Sequence, residues 1–359
     1  MNTAEWIKNA YEKLRKKHPD LRKIEFIGYQ EATSSTPDVQ EAQSLAIKYA
    51  DKYPDLCLNF TGATKMMSVG AYLVAKDRCL STYYCDTQAG IIVPGGTSHK
   101  QEKIDIGPIF DLLDVEVILE AYGKSLGKHW RSQPRTDAEI AFGKTAFSLV
   151  QSQQFKFHRF IQEIRKSAQP GKPLPASPNP AIEAFLHQAV ALGYLKRHNG
   201  TYELPFRDLH KDAREKKDHK EQMLAYLDGF PFEYYVYDLV NHSNRYAAPL
   251  SNVEPVGDPV SFGEVDIICV DRKEKGLACI SCKGSFTGAN KLEHLESFVQ
   301  RADYLGGIFS KKILCVASSF FPPIQKKEDP DFRQILTDKC KSLKIELFIG
   351  SEIQKHFQG

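Results

Sequence analysis

Four side chains near the carboxy terminus have the types and spacing for hydrolytic chemistry on a charged ester. Glu264 and Asp266 stand two apart in G-E-V-D-I-I-C-V, and Ser281 and Lys283 stand two apart in C-I-S-C-K-G. Both stretches read as strands, and positions two apart on a strand share a face. If the strands pair, two carboxylates, a hydroxyl and an ammonium converge on one patch. Carboxylates hold a divalent cation and an ammonium steadies developing negative charge, which is what phosphodiester hydrolysis needs. An ordinary hairpin with a solvated polar face would carry the same residues, and the flanking Val265, Ile267, Ile280 and Cys282 fit either account.

The elements that must position this patch are legible around it. GFPFEYYVYDLV upstream reads as a helix. VDIICV and LACISCK are strands joined by the polar loop DRKEKG, which ends in Gly276. KLEHLESFVQRADYL carries apolar residues at 292, 295, 298, 299, 302 and 305, a helical period. KKILCVASSF and KIELFI are further strands. The order predicts an α/β domain with a mixed sheet over residues 216–359.

Two segments precede it. Residues 114–215 are largely helical, broken at 167–179 by the Pro/Ser-rich SAQPGKPLPASPN, which no helix crosses. A helix and then a hairpin turning at His198-Asn199-Gly200 follow, the pattern of a winged helix; such modules bind DNA, connect domains or dimerise. In residues 1–113, KIEFI at 23–27 is a short strand and a helix runs from Asp38 to about Lys52. LCLNF at 56–60 reads as a buried strand entering the helix of TGATKMMSVGAYLVA, CLSTYYCDT at 79–87 as another strand, and IIVPGG ends in a turn. Alternation of strand and helix predicts an α/β layer with a parallel sheet.

Bulk properties bound the rest. The 359 residues, 42% hydrophobic and 26% charged, suit two or three globular domains. No apolar run approaches the roughly 20 residues of a membrane span, so no membrane partner is expected. The amino terminus lacks the apolar core of a secretory signal, and a cytoplasmic location is expected. A net charge of +3 does not by itself identify a nucleic-acid binder, although residues 208–220 and 322–328 are basic clusters. Of eight cysteines, Cys279 and Cys282 form a C-x-x-C. On a strand they point to opposite faces and share no metal, and scattered thiols suit a reducing compartment.

The order of elements resembles the PD-(D/E)XK nucleases. It is more closely similar to the nuclease half of the CARF-domain ancillary effectors of type III CRISPR systems. The pieces that carry this are G-F-P-F-E-x-x-V at 229–236, G-E-V-D at 263–266, S-C-K-G at 281–284, and K-L-E-H-L-E at 291–296 continuing to Y-L-G-G at 304–307. The resemblance implies a metal-dependent endonuclease acting on DNA, RNA or both with Mg²⁺ or Mn²⁺. Asp266 would bind metal, Lys283 would be the catalytic lysine, Glu233 a further acidic member and Glu264 a neighbour. The family's signature has an acidic residue two before the lysine, where Ser281 stands here. The second metal-binding carboxylate would then be Glu233 or Glu264.

The same resemblance implies an amino-terminal CARF-type domain, Rossmann-like and shortened, that binds a cyclic oligoadenylate, expected to be cyclic tetra-adenylate. N-F-T-G-A-T-K fits its motif, with Asn59, Thr61 and Lys65 as ligand contacts. A helix amino terminus with Gly62, two hydroxyls (Thr61 and Thr64) and a lysine makes a phosphate cradle, although either threonine could equally be a helix cap. An opening strand–helix–strand unit is missing relative to the family, which leaves Gly28 to Ser34 and Asp86 to Gln88 as further loop candidates. A homodimer sharing one two-fold ligand is implied. The alternatives are a restriction-like or repair nuclease without nucleotide sensing, and a catalytically decayed nuclease-fold regulator.

Overall fold

The computed structural model describes residues 3–21, 38–61, 65–86, 91–95, 103–126, 135–167, 172–174, 177, 179–205, 224, 226–227, 229–256, 264–284, 292–307, 310–317 and 332–359. KIEFI, the loop at 28–34, Gly62, Thr64, residues 87–88 and both basic clusters lie outside these. The chain forms two compact units, one of Met1–Leu113 with Arg272–Lys275, the other of Asp114–Asp271 with Gly276–Gly359. Among the described residues no helix is long and apolar enough to cross a membrane.

The first unit begins with α1 (Thr3–Lys17) and α2 (Val39–Lys52), the latter capped by the Asp38 carboxylate accepting from Glu41 N. Then come β1 (Cys57–Asn59), α3 (Lys65–Asp77), β2 (Ser81–Asp86), β3 (Ile91–Gly95), β4 (Ile104–Asp105) and α4 (Gly107–Phe110). The sheet has the order β1-β2-β3-β4. The parallel expectation holds only for β1 and β2, because α3 carries the chain back between them. β2 and β3 are antiparallel, as are β3 and β4. Residues 87–90 are far too few for the crossover of a dozen or more residues that parallel neighbours need. β1 is also not buried: Cys57 and Asn59 are exposed, since the strand lies at the edge of the described sheet. α2 and α3 touch at Gly70, where a Cβ would stand 2.4 Å from Val39 O. Any larger residue would force the helices apart.

The second unit contains α5 (Val115–Ala121), β5 (Ser125–Leu126), α6 (Asp137–Ser167, kinked at Gln153), α7 (Pro180–Ala191), β6 (Lys196–His198) and β7 (Thr201–Glu203). The β6–β7 turn places Asn199 at φ 48° and Gly200 at φ 79°, the primed geometry that an Asn-Gly pair favours. Then follow α8 (Phe230–Asn241), β8 (Tyr246–Val253), β9 (Pro255–Val256), β10 (Val265–Asp271), β11 (Gly276–Lys283), α9 (Glu293–Gly306), β12 (Lys311–Val316), α10 (Phe332–Ser342), β13 (Glu346–Ile349) and α11 (Ser351–Gln358).

The five-stranded sheet has the order β13-β12-β11-β10-β8 and is mixed as expected. β8, β10 and β11 are antiparallel, whereas β11, β12 and β13 run parallel. α8 is buried from Phe230 to Val240, and Phe232, Tyr235, Val236 and Leu239 join Ile267, Ile280 and Ile313 in one core. α9 buries Leu295, Phe298, Ala302 and Leu305, four of the positions its period marks. α6 and α7 build a second core, with Phe142 stacked on Phe185 at 4.6 Å. Gly143 lets α6 lie against α8, since a Cβ there would stand 2.5 Å from Pro231 O and 2.8 Å from Tyr235 N.

α11 closes the sheet through His356, which stacks on Phe348 at 3.9 Å and lies 3.0 Å from the Tyr246 hydroxyl. Burial lowers its pKa from 6.5 to about 4, so the imidazole is neutral in the folded state at pH 7. The unfolded chain therefore binds the proton first as pH falls, and the folded state loses stability between about pH 6.5 and 4. The loss is at most on the order of 3 kcal/mol at about 1.4 kcal/mol per unit. Urea unfolding across this range should show a steeper decline for the wild type than for His356→Phe. Parallel declines would mean that the imidazole is not buried as described.

Candidate active site

The hairpin of β10 and β11 brings the residues of the D…S-x-K pattern together. Ile267 pairs with Ile280, which puts Asp266 beside Ser281 on the same face. Three donors from β11 then reach one oxygen of Asp266. Ser281 Oγ donates to Oδ2 at 3.1 Å, Cys282 N at 2.6 Å and Lys283 Nζ at 3.3 Å. The serine that replaces the signature's acidic residue is thus a donor that orients Asp266. Glu264 stands one residue before β10 and not on it, so its place beside Asp266 does not come from strand alternation.

Glu233 arrives from the first turn of α8, a helix that the aromatic and β-branched run F-P-F-E-Y-Y-V buries on the sheet. Its carboxylate is only 8% exposed, and Asn252 Nδ2 donates to Oε2 at 2.8 Å. Burial first, then the charge of Asp266, pushes its pKa up to about 8, with Glu264 adding to the rise. Asp266 raises the pKa of Lys283 above its usual value against the effect of burial, so the ammonium keeps its proton. Lys283 therefore acts as a positive charge and not as a base at neutral pH. The thiols of the C-x-x-C, Cys279 and Cys282, are free and buried in β11.

These hard oxygen donors suit a divalent cation, which would relieve the repulsion that protonates Glu233. Among the described residues no three His, Cys, Asp or Glu side chains already stand together as a metal cage. Beside the cluster, Ser281, Lys283, His294, Phe298 and Arg301 line a cavity of about 310 Å³. His294, Phe298 and Arg301 repeat at helical spacing on one face of α9. This is room for a phosphate next to the carboxylates.

Sequence reading misses Asn252 and Arg135. Asn252 is buried at φ 54° within β8, a left-handed backbone that asparagine tolerates, and its Oδ1 accepts from Arg135 Nη2. The polar pair Ser251-Asn252 at the end of an apolar stretch is the one signal that could have marked it.

In the first unit Asn59, Thr61 and Lys65 gather where β1 meets α3. Asn59 Oδ1 accepts from Thr61 N at 2.9 Å, and Thr61 Oγ1 accepts from Cys85 N at 2.8 Å, tying the end of β1 to β2. The Thr61 hydroxyl thus serves a strand amide. Lys65 opens α3 and is exposed.

No family model and no curated protein matches the chain. Among solved structures it is similar to Can2 from Sulfobacillus thermosulfidooxidans in complex with cyclic tetra-adenylate. The TM-score is 0.65 at 18% identity, covering 98% of this chain and 87% of Can2. Protein VC1899 from Vibrio cholerae gives a TM-score of 0.67 at 13% identity, covering 99% of this chain and 87% of that one. At such identities the likeness is one of fold. The chain shares the mixed α/β fold of these two proteins over nearly its whole length.

Asn252 offers a test of the buried carboxylate. Asn252→Gly should cost about 1–3 kcal/mol, because Glu233 is left buried without its donor. Asn252→Ala should cost roughly 1 kcal/mol more, since alanine resists the left-handed backbone. Equal losses in denaturant titrations would reject the backbone argument, and no loss would reject the hydrogen bond.

Proposed function

We propose that this chain, which shares the fold of Can2, is a metal-dependent nuclease cleaving DNA or RNA phosphodiester bonds under the control of a cyclic oligoadenylate. The observation that carries the catalytic half is the convergence of Ser281, Cys282 N and Lys283 on Asp266 beside the buried Glu233. A buried carboxyl group of raised pKa beside a charged lysine at a cavity is a pattern of active sites. Asp266 and Glu233, with Glu264 near them, would hold Mg²⁺ or Mn²⁺. The cation would supply Lewis-acid activation of water and of the phosphate. Ser281 and Cys282 N hold Asp266 in one orientation. Lys283 keeps its proton and faces the charge that develops on the phosphate. Glu233, protonated below about pH 8, gives up its proton as the site is loaded.

The control half rests on the fold likeness to a protein solved with cyclic tetra-adenylate and on Asn59, Thr61 and Lys65 at one loop. Gly62 and Thr64 would complete the loop, with Lys65 and the α3 amino terminus meeting a phosphate. A homodimer around a two-fold ligand fits a further feature: α3 exposes Met66, Val69, Tyr72 and Leu73 as one apolar stripe. We read residues 1–113 as the sensor, 114–215 as the connector and 216–359 as the nuclease domain of a cytoplasmic defence protein.

Asp266→Asn and Lys283→Ala should each lower cleavage of single-stranded or supercoiled substrates with Mg²⁺ or Mn²⁺ by about a hundredfold or more. Undiminished cleavage in both would sink the assignment. Silence of the wild type, and of Ser281→Glu, with either metal would favour a decayed regulator. Cyclic tetra-adenylate should bind by calorimetry and stimulate cleavage, and Lys65→Ala should weaken binding. Cleavage without any binding would favour a nuclease that senses no nucleotide. Light scattering should give a dimer that Tyr72→Glu dissociates, and a wild-type monomer would reject the dimer.

A further inference from the structure

A second cavity, of about 360 Å³, reaches Asn252, the donor to Glu233, and has no part in the chemistry above. Arg135, Glu139, Tyr194, Tyr226, Tyr234 and Asn252 line it. The rings of Tyr194 and Tyr226 stack at 4.5 Å and 21°, and the Arg135 guanidinium lies 4.6 Å over the ring of Tyr234. Tyr194 OH donates to Glu139 Oε1 at 3.1 Å and lies 3.3 Å from Tyr234 OH. Flat aromatic walls thus alternate with a carboxylate and a guanidinium.

One residue joins this cavity to the candidate site. Asn252 accepts from Arg135 and donates to Glu233. Ser281 and Lys283, which hold Asp266, line the other cavity. The carboxylate cluster is therefore linked to both cavities, to one through Asn252 and to the other through Ser281 and Lys283. A polynucleotide with one phosphate at the carboxylates has its neighbouring groups close to these cavities.

The aromatic cavity has the chemistry of a base and not of a phosphate. Tyrosine rings and an arginine plane stack any nucleobase, a carboxylate accepts from an exocyclic amino group, and a guanidinium donates to base oxygens and nitrogens. Its volume falls in the range of small-molecule pockets. Tyr194 leads directly into β6, whose Lys196, Arg197 and His198 are all exposed and could follow the strand's phosphates. A base enters such a pocket only when it is out of the duplex. We propose that this cavity receives an unstacked nucleobase next to the scissile bond, and that the enzyme therefore prefers single-stranded substrate. The proposal rests on the nuclease reading.

The test uses DNA and RNA oligonucleotides of one sequence with the full-length protein. One set carries 5-iodouracil for photocrosslinking to Lys283→Ala, and the other carries an abasic nucleotide stepped along the strand for kinetics with wild type, Tyr226→Ala and Tyr194→Phe. Expected is a crosslink to the peptide holding Tyr194 or Tyr226, with DNA, RNA or both identifying the strand chemistry. At one position beside the cut, the abasic substrate should raise KM roughly fivefold to a hundredfold, the range one base stack supports. That penalty should vanish in Tyr226→Ala and shrink in Tyr194→Phe, which keeps the ring and loses only the hydroxyl. Cleavage with a flat abasic profile and no crosslink, or a lower KM for duplex, overturns the pocket and leaves the nuclease standing. A crosslink without cleavage by the wild type upholds the pocket and refutes the nuclease reading. Neither crosslink nor cleavage overturns both.

Discussion

Oδ2 of Asp266 accepts hydrogen bonds from Ser281 Oγ, Cys282 N and Lys283 Nζ, all on β11, and this convergence depends on the register between β10 and β11. Strand side chains alternate, so a slip of one residue would turn Ser281 and Lys283 to the opposite face. What forbids the slip is the core. Ile267 and Ile280 are paired and fully buried, as are Cys269 and Ala278 further along the same hairpin. A slipped β11 would put Ser281 and Lys283 into the apolar layer against α8, and the penalty for burying unpaired charge there exceeds any stabilisation from new packing. The polar end of the hairpin is thus fixed by its buried apolar stretch.

Glu233 is the part of the cluster that the fold holds at a cost. Its place in the first turn of α8 favours the charged form by about 0.3–1 kcal/mol. Burial beside Asp266 and Glu264 outweighs that, since its pKa rises from 4.5 to about 8 and each unit is worth about 1.4 kcal/mol. A carboxylate in that position contributes nothing to packing that a glutamine would not. Its place beside a charged lysine therefore reads as chemical, and the donor amide of Asn252 fixes its orientation.

How far the sequence discloses this depends on periodicity. The helix α9 is legible because its apolar residues recur at three and four, the hairpin because two short apolar runs flank a polar loop, and Asp266, Ser281 and Lys283 follow from the alternation of side chains along those strands. Glu264 does not, because β10 begins one residue later. Asn252 is not found by the same rule, since nothing in Y-A-A-P-L-S-N-V places it opposite Asp266 until β8 is known to pair with β10. In the first unit the expectation of a parallel sheet fails beyond β2, where the connection is too short for a crossover. Arg135 could not be found at all: it lies 117 positions from Asn252, and nothing local in R-T-D-A-E announces that partner.

That long-range pairing bears on what the connector does. Helix α6 is not a spacer laid beside the carboxy-terminal sheet. Gly143 seats it on the backbone of Pro231 and Tyr235, on either side of Glu233, and Lys144 pairs with Asp238 of α8 at 2.9 Å. Gln151 Nε2 donates to Ala317 O, just past the end of β12. Arg135, shortly before α6, binds Asn252 and so touches the group that holds Glu233. A shift of α6 along its axis would have to break the Gly143 contact or carry α8 with it, and Glu233 moves with α8. Because packed cores respond by discrete rearrangement and not by gradual deformation, displacement of α6 would alter the carboxylate cluster in a step. The connector therefore belongs mechanically to the site it precedes in sequence.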